Sequence, residues 1–368
     1  MKIEDVTLGQ FVMLKIRRHF GFDHMADHGM KGHVIRLEND SVTVNTETGV
    51  KCTYPASQLV PYDVQRNGVT LVVDCNYIAY QAFFTLGELS KKDIPTGVIF
   101  GFLSRILHLG MLFKTNNIIF CWDSKHSKRK EIFKQYKANR TKDMSEDDLA
   151  RRKIMFEQFK TLRKEVLPEM GFGNVYCKKG YEADDLIAQF IKDNHHRCAS
   201  EDDRFYIISA DEDLFQLIQE GVSMYRLSKK IMTTWQSFKK EYGIHPLGWW
   251  RVKTIAGCRT DKVPGVPGVG EKTAIKYLLK KLKKNSSAYQ KIKSEETREL
   301  EKRNARLVVL PFDGLMPIYQ KSNCFNPTAF KRICKRYGFR SFAKDPKWLD
   351  FFNGKFSKLQ DIKEALNK

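Results

Sequence analysis

Glu182, Asp184 and Asp185 stand almost side by side in Gly180-Tyr181-Glu182-Ala183-Asp184-Asp185-Leu186-Ile187-Ala188. The stretch reads as a helix start. Glu182 and Asp185 are three positions apart and share a face, while Ala183, Leu186, Ile187 and Phe190 form an apolar stripe that fixes the other side to a core. One acid at a helix N-terminus is favoured by the helix dipole. Three acids this close repel one another, and hard oxygen donors of this kind suit Mg²⁺ or Mn²⁺. Alone, the stretch reads equally well as a solvated acidic helix end.

Other acids recur at comparable places. Val69-Thr70-Leu71-Val72-Val73 is a short apolar run ending at Asp74, and Asn117-Ile118-Ile119-Phe120-Cys121-Trp122 ends at Asp123. Arg204-Phe205-Tyr206-Ile207-Ile208-Ser209 leads to Asp211 and Asp213. Between these runs the pattern predicts helices over 78–86, 97–113 and 149–167, the last stopped by Pro168, then from Asp185 to about 191 and from Asp213 to about 219. Buried strands alternating with helices give an α/β domain with a mainly parallel sheet and helices on both faces. Ligands of such sheets bind beyond the carboxyl ends of the strands. A single Asp there is ordinarily a turn residue or helix cap. Three such strand ends beside the Glu182 helix mark a metal site.

The cations fall into two blocks. His126 to Arg140 carries Lys128, Arg129, Lys130, Lys134, Lys137 and Arg140. Lys130, Lys134 and Lys137 fall at helical spacing, a candidate ridge for phosphates. A charge run is otherwise a solvated helix face, but Tyr136 among the cations offers a surface on which a base can stack. The second block surrounds Pro264-Gly265-Val266-Pro267-Gly268-Val269-Gly270-Glu271-Lys272-Thr273. A P-loop needs Gly directly before Lys and a strand before the loop, and both are missing. The stretch is better read as a helix, a glycine hairpin and a helix from Glu271 to about 282. Gly265, Gly268 and Gly270 would bring backbone N–H groups to a duplex phosphate, and Lys272 and Thr273 open the new helix. Lys and Arg total 64 against 43 Asp and Glu, a formal charge of +21, which points to a polyanionic partner.

The remainder sets boundaries. Residues 1–66 form a small module of short strands and tight turns, suggesting an SH3-like barrel that docks nucleic acid or protein. His24, His28, His33, Asp23 and Asp27 within it fit no standard zinc spacing and read as a polar loop. Residues 67–240 would carry the site, with a basic region over 126–167. Residues 241–368 would hold the hairpin and a helical extension without evident chemistry. No apolar run is long enough to span a membrane, and the first residues lack the apolar core of a secretion signal. Eight cysteines without C-x-x-C spacing suggest a reducing compartment and no structural zinc.

Taken in order, Asp74, Trp122-Asp123, Tyr136-Lys137-Ala138-Asn139-Arg140, Glu182-Ala183-Asp184-Asp185, Ala210-Asp211-Glu212-Asp213 and the 265–273 hairpin resemble the 5′-nuclease family. That family comprises flap endonucleases, phage 5′–3′ exonucleases and the 5′-nuclease domain of bacterial DNA polymerase I. The resemblance covers about 67–340 and implies a cytoplasmic enzyme of a bacterium or a virus-infected cell that removes primers or flaps in replication and repair. It implies two Mg²⁺ or Mn²⁺ ions about 4 Å apart. Asp74, Asp123, Glu182, Asp184 and Asp185 would hold the first ion, some through its waters, and Asp211, Asp213 and Asp261 the second, with a potassium ion at the hairpin. Lys137 and Arg140 would steady the scissile phosphate beneath a helical arch over 126–167. Lys128, Arg129, Lys130, Lys134 and Tyr136, with the hairpin, would bind DNA bearing a 5′ flap or free 5′ end, or an RNA–DNA hybrid. Replication proteins would dock through 1–66. One departure stands out: Gly257-Cys258-Arg259-Thr260-Asp261-Lys262 places Cys258 where the family pattern has a carboxylate and Lys262 where it has Asn. A PIN-type ribonuclease would share the acidic strand edge without needing the hairpin. A non-catalytic DNA-binding scaffold would have lost its second ion through Cys258.

Overall fold

In the computed structural model the described residues are 68–138, 144–195 and 204–356, together with five backbone strands nearer the N-terminus. Asp23, Asp27, His24, His28 and Arg140 lie outside them. The chain divides into two units, Met1–Arg66 and Asn67–Lys368. In the first, Phe11–Leu14 (β1), Lys31–Glu38 (β2), Ser41–Thr46 (β3), Lys51–Pro55 (β4) and Leu59–Pro61 (β5) form one antiparallel sheet in the order β4-β3-β2-β1-β5.

The second unit opens with Val69–Asp74 (β6), Cys75–Leu86 (α1), a two-stranded ribbon of Ser90–Lys91 (β7) and Ile94–Pro95 (β8), Gly97–Leu112 (α2) and Ile118–Cys121 (β9). Arg129–Ile132 (α3) and Glu146–Thr161 (α4) follow, then Leu167–Glu169 (α5), Val175–Tyr176 (β10), Ala183–Asn194 (α6) and Arg204–Ile208 (β11). A 3₁₀ turn, Glu212–Leu217, leads to Val222–Arg226 (β12) and Ile231–Thr233 (β13). The sheet order is β10-β9-β6-β11-β12-β13, parallel throughout except for β13. β6 is buried on both faces, which is why its sequence is a continuous apolar run without alternation. Successive side chains alternate across it. Leu71 and Val73 enter a core with Phe102, Trp122 and Ile208, and Val72 enters a second core with Ile119, Ile187 and Ile207.

Two expected helices differ. Among the described residues of the basic block, the α-helix is Arg129–Ile132, and Phe133 is already extended; Lys130, Lys134 and Lys137 therefore share no helix. The helix expected over 149–167 starts earlier, where Ser145 accepts from the Asp148 N–H at 3.1 Å. It also runs past its expected stop through a π turn, Leu162–Val166. Pro168 follows in the first turn of α5, where a missing N–H costs little.

Trp235–Tyr242 (α7) and Trp249–Ala256 (α8) lead into the hairpin, whose arms Gly257–Cys258 (β14) and Val263–Pro264 (β15) pair before Glu271–Leu278 (α9). Ser287–Lys293 (α10) and Glu295–Val308 (α11) follow. Pro327–Tyr337 (α12), Arg340–Lys344 (α13) and Lys347–Phe352 (α14) return to the first core through Phe330, Ile333, Trp348 and Phe351. Asn304 of α11 is fully buried and donates to the Thr254 carbonyl at 3.0 Å and the Pro264 carbonyl at 2.8 Å, binding hairpin to helix. Asn304→Ala removes both bonds, the one to the buried Thr254 carbonyl included, and should cost about 1–3 kcal/mol, read as a lower denaturation midpoint of the full chain. An unchanged midpoint would show that the hairpin holds without this clamp.

Candidate metal centre

Beside β6 the connections diverge. From β6 the chain passes to β9 and β10 on one side, then returns to place β11 on the other. That reversal opens a crevice at the carboxyl ends of β6 and β11, and the acids line it. Asp74 ends β6 and caps α1, accepting from the Tyr77 N–H at 3.0 Å. Fully buried Ser209 donates to Asp74 Oδ2 at 2.8 Å and accepts from the Asp211 N–H at 3.2 Å, joining two strand ends. Asp211 caps the 3₁₀ turn through the Asp213 N–H. Asp123, past β9, accepts from the Ala183 N–H at the start of α6 at 2.8 Å, which places Asp184 one residue further on.

The electrostatics record this convergence. Burial pushes the Asp74 carboxyl up to about 7, and the negative charges of Asp123 and Asp211 add to it. Burial raises Asp184 well above the usual carboxylate range, followed by Asp211, Asp74 and Asp123. Asp211 is raised by its surroundings and then by Asp213. Three raised carboxylates, with Asp123 adding its charge to two of them, fit a divalent cation, which removes the repulsion. They are not the tightest group. Among the described residues, only Asp213, Cys258 and Asp261 bring ligand atoms all within 4.8 Å of one another. The wider spacing of the four aspartates suits an ion held partly through its waters, as Mg²⁺ is.

Asp185 belongs elsewhere. It is fully buried and forms a bidentate pair with Arg129, with Nη1 to Oδ2 and Nη2 to Oδ1 both at 2.7 Å. It also accepts from the Glu182 N–H at 3.0 Å and the Phe312 N–H at 2.9 Å. With four donors on its two oxygens, Asp185 is engaged with Arg129 and two backbone N–H groups, where the resemblance implied a share in the first ion. Arg129, 2% exposed, also donates to the Leu307 carbonyl at 2.7 Å, so it is no DNA contact. Glu182 and Asp185 form a capping box at α6.

Tyr136 is 3% exposed and offers no stacking face. Its hydroxyl donates to Glu182 at 2.9 Å and lies 3.2 Å from Asp261. Lys137 Nζ lies 2.8 Å from Glu182 and 3.6 Å from Asp261. Burial pushes Glu182 up, but Lys137 and Arg129 outweigh it and hold the carboxyl below its usual value. Lys128 leans on Tyr181, with Nζ 2.7 Å from the hydroxyl. Lys130 and Lys134 are exposed.

The hairpin glycines have separate reasons. A Cβ on Gly265 would sit 2.1 Å from the Ala256 backbone, so close packing alone requires glycine here. Gly268 has φ +79, which favours glycine. Gly268, Gly270 and Lys272 are exposed. Ser209, Asn304 and Lys253 escaped the sequence reading. Lys253, on α8, is buried and pairs with Asp213 at 3.1 Å and with Glu271 at 3.0 Å. A lysine four residues before a hairpin glycine carries no local signal that it will turn inward. Cys258 Sγ lies 3.0 Å from the Thr260 hydroxyl. Burial, then Asp213, pushes its thiol up to about 11, so it stays protonated and is a poor partner for a hard cation.

An acid-lined crevice at the edge of a parallel sheet, with a glycine hairpin beside it, defines a metal-dependent nuclease. Residues 69–243 match the family described as 5′-3′ exonuclease, N-terminal resolvase-like domain. The 5′-3′ exonuclease of Buchnera aphidicola subsp. Schizaphis graminum (strain Sg) is 31% identical over 239 residues, 64% of this chain and 77% of that protein. That of Bacillus subtilis (strain 168) is 32% identical over 223 residues, 58% and 70%. Among solved structures, bacteriophage T5 5′-exonuclease with bound zinc has a TM-score of 0.56 at 22% identity, over 66% of this chain and 90% of that one. The T5 flap endonuclease in a pseudo-enzyme–product complex with DNA and metal ions also has a TM-score of 0.56, at 20% identity over 78% and 99%. Those two structures share the fold. The chain belongs to the 5′-3′ exonuclease family, phosphodiester hydrolases that act on DNA.

Arg129→Ala leaves Asp185 buried and unpaired, which should cost about 3–5 kcal/mol in chemical denaturation. Arg129→Met with Asp185→Leu should recover a large part of that loss. If the single variant matches the wild type in stability, the pair is not a structural anchor.

Proposed function

We propose that this exonuclease cuts DNA at or near a free 5′ end, 5′ flaps included, with a divalent ion, Mg²⁺ or Mn²⁺, held by Asp74, Asp123, Asp184 and Asp211. The observation that carries the proposal is the meeting of these four aspartates, from three strand ends and one helix start, at one edge of the sheet. A bound divalent ion supplies an acidified water and stabilises charge on the phosphate oxygens. Glu182 orients Lys137 beside this crevice, and Lys137 would neutralise charge developing on the scissile phosphate. Arg140 takes a like role on the resemblance alone.

Residues 126–167 would cover the entering 5′ strand as an arch, with exposed Lys130 and Lys134 drawing in the backbone. Gly268, Gly270, Lys272 and Thr273 would hold the adjoining duplex without reading its sequence, together with the potassium ion that the resemblance implies. The hairpin also favours this function over a PIN-type ribonuclease. For residues 1–66, the pairing of β1 with both β2 and β5 supports an SH3-like barrel, a docking module for replication proteins or nucleic acid.

A 5′-labelled flap duplex, incubated with Mg²⁺, Mn²⁺ or chelator and sized on a gel, tests the proposal. Short 5′ products should form only with the metals. Asp74→Ala should lower the rate about 10²-fold or more with flap binding retained, and cutting in chelator would remove the metal mechanism. Lys137→Ala should slow single-turnover cleavage by a similar factor; an unchanged rate would clear Lys137 of phosphate contact.

A further inference from the structure

The second group of ligand atoms differs in charge from the first. Asp213, Cys258 and Asp261 meet within 4.8 Å, but each of the two carboxylates already faces an ammonium. Lys253 Nζ lies 3.1 Å from Asp213 Oδ1, and Lys137 Nζ lies 3.6 Å from Asp261 Oδ2. Tyr136 adds its hydroxyl to that same Asp261 oxygen. The third donor is a thiol, soft where Mg²⁺ and Mn²⁺ want oxygen. This donor set does not fit a hard second ion.

Lys253 is no loose surface cation that an ion would displace at small cost. Its side chain is 9% exposed. Glu271, the first residue of α9, holds the ammonium from the other side at 3.0 Å. The ammonium also lies 5.5 Å from the Trp249 ring, one helical turn back along α8. A divalent ion taking Asp213 would sit within a few ångströms of a fixed positive charge, and in partly buried surroundings that repulsion is severe.

We infer that the Lys253 ammonium takes the place of the second divalent ion, so that this enzyme holds one divalent ion tightly, in the crevice of Asp74, Asp123, Asp184 and Asp211. The inference rests on the metal-site proposal above and revises the two-ion expectation that the family resemblance implies. Lys253 is then a positioning residue. It fixes Asp213 and ties α8 to α9 across the hairpin, coupling the duplex grip to the metal crevice.

Counting ions tests this without any cleavage readout. Mn²⁺ is titrated into the full-length wild-type protein, and free Mn²⁺ is followed by electron paramagnetic resonance. One ion per chain should bind, with any further ion weaker by at least about tenfold, or 1.4 kcal/mol. Asp74→Asn should remove that ion. Lys253→Met with Cys258→Asp should add a second ion of comparable affinity, with circular dichroism confirming the fold. Two ions of similar affinity in the wild type overturn the inference and leave the metal-site proposal standing. No ion in the wild type overturns both. A correctly folded double variant that still binds only one ion shows that Lys253 was not what excluded the second, and overturns the substitution.

Discussion

The Arg129–Asp185 pair is the constraint on which the site's geometry depends. An ion pair removed from water loses its hydration and holds only if every remaining donor and acceptor finds a partner. Here Asp185 receives four hydrogen bonds, two from Arg129 and one each from the Glu182 and Phe312 backbones. Arg129 spends its third donor on the Leu307 carbonyl. One pair therefore joins α3, the start of α6, the end of α11 and the segment after it. The capping box with Glu182 passes this rigidity outward, because Glu182 in turn holds Tyr136 and Lys137. The two flanking acids of one short motif thus do opposite work: Asp185 fixes the frame while Asp184 joins the charged crevice.

Charge at the crevice is organised by helix starts. Asp74, Glu182 and Asp211 each occupy the capping position of the helical turn that follows, and Asp123 accepts the first N–H of α6. Backbone N–H groups stabilise carboxylates there. That stabilisation limits the repulsion among the acids but does not remove it, since Asp74 and Asp184 remain raised. What is left over is a standing attraction for a cation. A cap and a ligand make compatible demands, for a single hydrogen bond leaves a carboxylate oxygen a further lone pair: Asp211 gives Oδ1 to its cap, while Asp74 gives Oδ1 to its cap and Oδ2 to Ser209.

The sheet and its acidic edge were legible because their signals are local. Continuous apolar runs mark strands buried on both faces, and the acid after each run falls at the strand-to-helix turn. The division of roles within the site was not legible. Whether Asp185 meets a metal or an arginine is decided by Leu307 and Phe312, more than a hundred positions away. Tyr136 looks like a stacking surface in sequence because cations surround it, yet its hydroxyl answers to Glu182 and Asp261. The lysine periodicity failed for a related reason: spacing suited to a helix does not create one where tertiary contacts bind the backbone otherwise. Lys137 has φ 54, and its N–H is held by the Asp261 carbonyl at 3.0 Å.

That left-handed backbone explains how one lysine serves the crevice while its neighbours serve the surface. Lys130 and Lys134 stay in solvent, where their attraction for a polyanion is long-ranged, screened by salt and indifferent to geometry. Lys137 is turned inward at the same stretch of chain and is stored against two carboxylates. Under the proposed function, a phosphate entering the crevice would compete with those carboxylates for the ammonium. Lys137 is thus pre-placed without being irreversibly committed. Had it stayed on a regular helix with Lys130 and Lys134, it would have added one more steering charge and no positioned one.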